Sequence, residues 1–186
     1  MKKQFLSFCA VLMTGSAAFA QSSSFNKGDN LLHIGIGVGS PFFGSGYSTS
    51  LPVNPSVSFE HGLSEAISVG GQLSYASYKY SYNLGSLYGG NYTFKESATY
   101  AGIRGSYHLN EALGLDKPWD CYGGASLGYV IVSASDNMGY SAAAGSALGF
   151  GLYAGGKYYF SSRTGVYAEA GYQSLSYLNI GITFKL

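Results

Sequence analysis

The chain has 186 residues, enough for one domain, and only 10% of them are charged, against about a quarter in an ordinary soluble domain. Aromatics make up 16%, with 18 Tyr, alongside 28 Gly, a composition that excludes a disordered chain. A formal net charge of +1 excludes a basic field for nucleic acid, and so few charges imply that something other than water faces much of the exterior.

Residues 1–20 read as a removable export signal. "MKK" is a basic start, "FLSFCAVLM" a short apolar core, and "AFA" before Gln21 a small-x-small cleavage pattern. The core is too short to span a bilayer as a helix. A lipoprotein signal at Cys9 is the competing reading, but Phe8 stands where a small residue is expected. The mature domain then covers residues 21–186. Without Lys2 and Lys3 it carries 10 − 2 = 8 basic residues against 9 acidic ones. Cys121 is then the one cysteine left, so no intrachain disulfide can form.

Beyond the signal no run approaches ~20 uninterrupted apolar residues, which excludes helical spans. Period-two alternation recurs eight times instead, between clusters of Gly, Ser, Asn and Pro. Leu32, Ile34, Ile36 and Val38 oppose His33, Gly35, Gly37 and Gly39, and Val57 and Phe59 then oppose Ser58 and Glu60. After the turn "HGLSEA", Ile67, Val69, Leu73 and Tyr75 oppose Ser68, Gly70, Gln72 and Ser74 in a run reaching Tyr80. The fourth run, from about Thr93 to His108, sets Ile103 and Tyr107 against Arg104 and Ser106. The insert "LNEALGLDKPWD" has room for one helical turn before Pro118. The fifth run (Cys121 to Ser133) sets Leu127, Tyr129 and Ile131 against Ser126 and Gly128, and the sixth (Ala144 to Phe160) sets Phe150 and Leu152 against Tyr153 and Lys157. The seventh opposes Val166, Ala168 and Ala170 to Tyr167, Glu169 and Gly171. The last, "YLNIGITFKL", sets Leu178, Ile180, Ile182, Phe184 and Leu186 against Asn179, Gly181, Thr183 and Lys185. Short turns at one end and longer polar loops at the other predict an eight-stranded antiparallel up-and-down barrel.

The two faces decide its surroundings. Eight strands enclose only enough space for side chains to fill, so the Leu, Ile, Phe and Tyr set would overfill the interior, while glycines would cover the outside for no packing reason. Reversed, the apolar set meets lipid and the small and polar set lines the lumen. A soluble lipocalin-like binder is the rival with the opposite sidedness. In hydrocarbon no edge can stay open, so the eighth strand must close on the first. Tyr107, Tyr158, Phe160 and Phe184 cluster near one set of strand ends, as an interfacial belt requires.

Export signal, eight alternating segments and a terminal amphipathic strand together resemble the small outer-membrane β-barrel proteins, the OmpX/OmpA-like barrel class. The resemblance covers roughly residues 28 to 186 and rests on pattern rather than on a sequence motif. It implies a Gram-negative outer-membrane transmembrane barrel, both termini periplasmic, with outer-membrane lipids around it. It also implies that the barrel assembly machinery reads the strand bearing Leu178, Ile180, Ile182, Phe184 and Leu186. Many members end in Phe; here Phe184 is third from the end and Leu186 last.

The lumen faces place Glu60, Arg104, Lys157, Glu169 and Lys185 together, with Tyr100, Tyr153, Tyr167 and Gln72 nearby. Buried charges must pair, so the expectation is a crossed network that plugs the lumen, or one that gates a narrow, porin-like path for small solutes. "GLYAGGKY" fails as a phosphate loop because Tyr158 stands where Ser or Thr is needed and the strand continues, so no cofactor is implied. His33, His61 and His108 read as separate wall and rim positions without metal spacing. Ser106 and His108 share a face two residues apart, which keeps a lipid-modifying enzyme as a further alternative to a non-enzymatic barrel. The loops "SPFFGSGYSTSLPVNP" and "SYNLGSLYGGNY" suit adaptable contact with an extracellular ligand. The leading expectation is an integral envelope protein with a plugged lumen and a structural or adhesive role.

Overall fold

The structure is a computed structural model that describes residues 24–40, 48–49, 53–83, 91–115, 117–139 and 141–186. The expected signal, most of the first long loop and the tip of the second lie outside the described residues. Among the described residues there are nine strands: β1 (Asn30–Val38), β2 (Ser48–Thr49), β3 (Asn54–Gly62), β4 (Ile67–Asn83), β5 (Asn91–His108), β6 (Trp119–Asp136), β7 (Ser141–Tyr159), β8 (Thr164–Gln173) and β9 (Leu178–Lys185). The helical turn foreseen before Pro118 is α1 (Asn110–Leu113), closed by Gly114 in the left-handed conformation.

All strands but the two-residue β2 make a closed wall of eight. Every pairing is antiparallel, and β1 meets β9 from Leu31↔Lys185 to Val38↔Leu178. The ring also closes between β4 and β5, which pair from Ile67↔Tyr107 to Asn83↔Asn91. The last strand leaves neither neighbour with an open edge, as hydrocarbon surroundings demand.

The polarity is inverted relative to a soluble barrel. Ile103 and Leu152 are each 69% exposed on the outer wall, beside Leu73, Leu127, Phe150 and Ile182. Inside lie His33, Glu60, Gln72, Arg104, Asp120, Lys157 and Glu169, all buried. This sidedness excludes the lipocalin-like alternative, whose apolar face would line the cavity. Trp119 packs on Tyr158 at 4.8 Å near one rim, and Phe150 on Tyr172 at 5.0 Å nearer the other. From Trp119 to Tyr129 along β6, at about 3.3 Å per residue and about 45° tilt, the rise is about 23 Å, the height of an apolar band between aromatic girdles.

Glycine inside the wall makes room for tyrosine. A Cβ at Gly149 would stand 2.9 Å from the Tyr100 ring, and one at Gly124 2.5 Å from the Tyr153 hydroxyl. Eight strands enclose too little space for large side chains at every lumen position, so Tyr100, Tyr122, Tyr153 and Tyr167 each lie across a glycine of another strand. The lumen has two storeys. At the end carrying both termini it is polar; toward the loop end Ala76, Tyr78, Ala98, Tyr100, Val130 and Leu175 form an apolar cluster.

Strands β4 to β7 run further toward the loop end than the alternation indicates: β4 reaches Asn83, β5 starts at Asn91, β6 reaches Asp136 and β7 starts at Ser141. Their partners β1, β3, β8 and β9 have 8 to 10 residues each, against 17 to 19 for these four. Half the barrel therefore rises past the apolar band as a sheet. On the β7 side of that sheet, among the described residues, 141–150 pair only with β6, apart from Ala144 at a register shift, and β8 joins at Gly151↔Gln173. On the β4 side, β2 pairs through Ser48↔Lys79 and Thr49↔Tyr78.

Candidate functional site

The polar storey is built by alternate residues of neighbouring strands, each aimed inward by the two-residue period. All five charged positions inferred from sequence face the lumen. Glu60 and Glu169 are 0% and 1% exposed and Arg104 sits between them: its Nε lies 2.9 Å from Glu60 Oε1 and its Nη2 2.6 Å from Glu169 Oε1. The first contact is a close ion pair without hydrogen-bond alignment; the second is an aligned hydrogen bond. Arg104 Nη1 also reaches Gln72 Oε1 and Ser58 Oγ at 3.4 Å each, and its guanidinium stacks 4.5 Å from the Tyr153 ring centre. Tyr122 donates to the same Glu169 oxygen at 2.9 Å. The arginine's planar fork suits this double role, which a lysine could not fill with the same geometry.

The other two cations pair elsewhere. Lys157 Nζ binds Asp120 Oδ2 at 3.1 Å and lies 3.9 Å over the Tyr122 ring. Lys185 Nζ binds Asp29 Oδ2 at 2.9 Å and the carbonyl of Ser24, holding the residues before β1 across the mouth. There Phe25 stacks on His108 with ring centres 3.6 Å apart and planes 5° from parallel.

Sequence reasoning missed Asp120 and Asp29 as partners. In the sequence Asp120 stands in the insert before Cys121, yet it shares parity with the inward residues Tyr122 and Ser126. Asp29 precedes β1 and carries no strand pattern. The histidines also do more than stand apart. His33 Nδ1 is 3.0 Å from Ser58 Oγ and 3.7 Å from Glu60 Oε1. His108 links Asp120 Oδ1, 2.7 Å from its Nδ1, to Ser68 Oγ, 3.1 Å from its Nε2. Only His61 stands outward, on Asn30 at 2.9 Å, and the expected opposition of Glu60 and His61 across the wall is present. Among the described residues no His, Cys, Asp or Glu group has the makings of a metal site.

Ser68, His108 and Asp120 have the order of a hydrolytic triad, with a different serine from the Ser106 considered on sequence. Their surroundings give the order another meaning. Ser68 Oγ donates to Glu60 Oε2 at 2.6 Å, and Ser106 Oγ donates to the same oxygen at 2.8 Å. A nucleophile in that position would build its oxyanion beside a carboxylate, against the requirement for donors there. Phe25 covers the imidazole face. The chain Asp120–His108–Ser68–Glu60–Arg104–Glu169 works as a buried network of ion pairs and hydrogen bonds that cross-links β3, β4, β5, β6 and β8. Contacts of this kind between strands rigidify a wall.

No family model matches the chain, and no curated protein matches it in sequence. Among solved structures, it is similar to Ail, the attachment invasion locus protein of Yersinia pestis, in complex with the heparin analogue sucrose octasulfate. Identity is 13% and the TM-score 0.47, over 86% of this chain and 96% of that one. It is similar to the N-terminal β-barrel domain of Pseudomonas aeruginosa OprF at 15% identity and a TM-score of 0.47, over 87% and 98%. A de novo designed transmembrane β-barrel aligns at 12% identity and a TM-score of 0.46, over 88% and 100%.

Proposed function

We propose that the chain is an integral outer-membrane barrel with a structural and adhesive role: a rigid, plugged wall that holds a sheet above the membrane surface for contact outside the cell. The observation that carries this reading is the division of labour along β4 to β7. Their lower halves complete the apolar band, and their upper halves continue as a sheet beyond it, whose edge along residues 141–149 has no second strand beside it among the described residues. Unpaired edges accept strands from other chains, and loops on a rigid scaffold commonly carry binding. The apolar storey around Tyr100, Val130 and Leu175 favours a plug over a solute path, because an ion would shed hydration against its buried side chains. The sealed Ser68–His108–Asp120 chain favours a non-enzymatic role.

Surface labelling tests the orientation. Met138 lies exposed between β6 and β7, and Leu113 lies exposed in α1 at the other end. With Cys121 replaced by Ser, Met138→Cys should react with a membrane-impermeant maleimide on intact cells, and Leu113→Cys only after the outer membrane is permeabilised. The reverse pattern, or equal labelling, would overturn the proposal.

A further inference from the structure

We infer that residues 24–29 form a latch, which docks once β9 has closed on β1 and then holds that seam shut from the mouth of the barrel. Its role is separate from whatever the projecting sheet binds at the other end.

The segment carries its own turn. Asn26 N donates to Asp29 Oδ2 at 2.9 Å, Asp29 N donates to the Asn26 carbonyl at 3.2 Å, and Gly28 completes the reversal at φ 86°. Only glycine adopts that backbone without strain. The turn sends Phe25 back over the opening, where its 5% exposed ring lies flat on His108. His108 ends β5, three strands round the wall from β1. On the way β3 makes room. Gly28 N donates to the Gly62 carbonyl at 2.8 Å, and Gly62 N donates to the Asp29 carbonyl at 2.9 Å. A Cβ at Gly62 would stand 2.7 Å from the Asn26 carbonyl oxygen and 2.9 Å from the Phe25 ring.

Contact with the last strand makes this segment a latch. Lys185 Nζ donates to the Ser24 carbonyl and pairs with Asp29 Oδ2, the same oxygen that accepts from Asn26 inside the turn. Lys185 stands on β9, opposite Leu31 of β1 across the closing seam. These two contacts span 161 and 156 positions of sequence. Contacts of such span form only after the ends of the chain have been brought together, which in a meander of strands is the closing step itself. Interactions made after the transition state slow unfolding and leave the folding rate alone. Asp29 couples the two parts: parting β9 from β1 takes Lys185 away from the turn, and lifting the turn takes Asp29 away from the seam.

The test is kinetic and uses the chain from Gln21 in dodecylphosphocholine micelles. Folding and unfolding rates in urea are read from the folded and unfolded bands on unboiled gels, and amide hydrogen exchange is followed by NMR. Phe25→Ala should fold within about twofold of the wild-type rate and unfold at least about a hundredfold faster. Asp29→Asn, which keeps the ring and loses the ion pair, should unfold about tenfold faster, again with little change in folding. In both variants, exchange should rise further for amides bonded between β1 and β9 than for those bonded between β6 and β7. Unchanged unfolding rates would overturn the inference, and so would an equal rise in exchange around the whole wall. Slower folding in Phe25→Ala, or its failure to fold where the wild type folds, would place docking before closure and overturn it as well.

Discussion

Arg104 is the residue on which the lumen turns. It faces two buried carboxylates from different strands, Glu60 on β3 and Glu169 on β8, so its loss leaves both without their cation. Breaking a buried pair from one side costs about 3–5 kcal/mol, because the stranded charge keeps its desolvation penalty. Arg104→Ala should lower barrel stability by at least that range, and Arg104→Lys by less, as read from urea unfolding in micelles. Equal stability of Arg104→Ala and wild type would show that water already satisfies the carboxylates. A second contrast sits on neighbouring residues of β4. Gly70 points inward, where a Cβ would collide with the Phe59 carbonyl, and Gly71 points outward into open space. Gly70→Ala should therefore cost about 1–3 kcal/mol, while Gly71→Ala should stay within about 0.5 kcal/mol. The same unfolding assay reads both, and equal effects would contradict the assignment of faces.

At the scale of elements, the wall and its extension are separable. Replacing residues 80–94 with Asn-Gly joins Lys79 to Lys95 by a two-residue turn suited to a hairpin and removes ladder only above the apolar band. The shortened chain should still form a closed barrel, seen as retained β-signal and protease resistance in micelles. Removing residues 178–186 should abolish both, because it opens β1 and β8 at once. These elements also show what could be read from the sequence. Wherever one face meets lipid and the other the lumen, as in β9 or the lower half of β4, alternation fixed the strand, its face and its neighbour. Above the band both faces are polar enough that the contrast fades, so the alternating runs stop two or three residues short of the loop ends of β4 to β7. Asp120 was hidden for a related reason: it stands at the rim, where Trp119 and Pro118 resemble a turn, and its inward aim follows only from the parity of the strand behind it. Asp29 and Phe25 could not be found by periodicity, since they reach the lumen by folding back over the mouth.

For the whole molecule, two seals lie in series. Paired charges and Phe25 fill the storey at the terminal end, and the apolar cluster around Tyr100 and Leu175 fills the one above. An ion would have to break the first and desolvate through the second. Reconstituted in a planar bilayer, the protein should give no resolved conductance steps; regular steps that change with Lys157→Gln would establish a path through the lumen instead. The central claim is prior to this: that the chain closes as a barrel whose apolar wall is solvated by lipid. The most direct measurement is electrophoresis of the outer-membrane fraction in detergent, with and without boiling. The expected result is a band confined to that fraction that migrates faster unboiled and shifts on heating, as a closed barrel resists detergent until heat opens it. Recovery in the soluble periplasm with no shift would mean that water meets the wall now assigned to lipid.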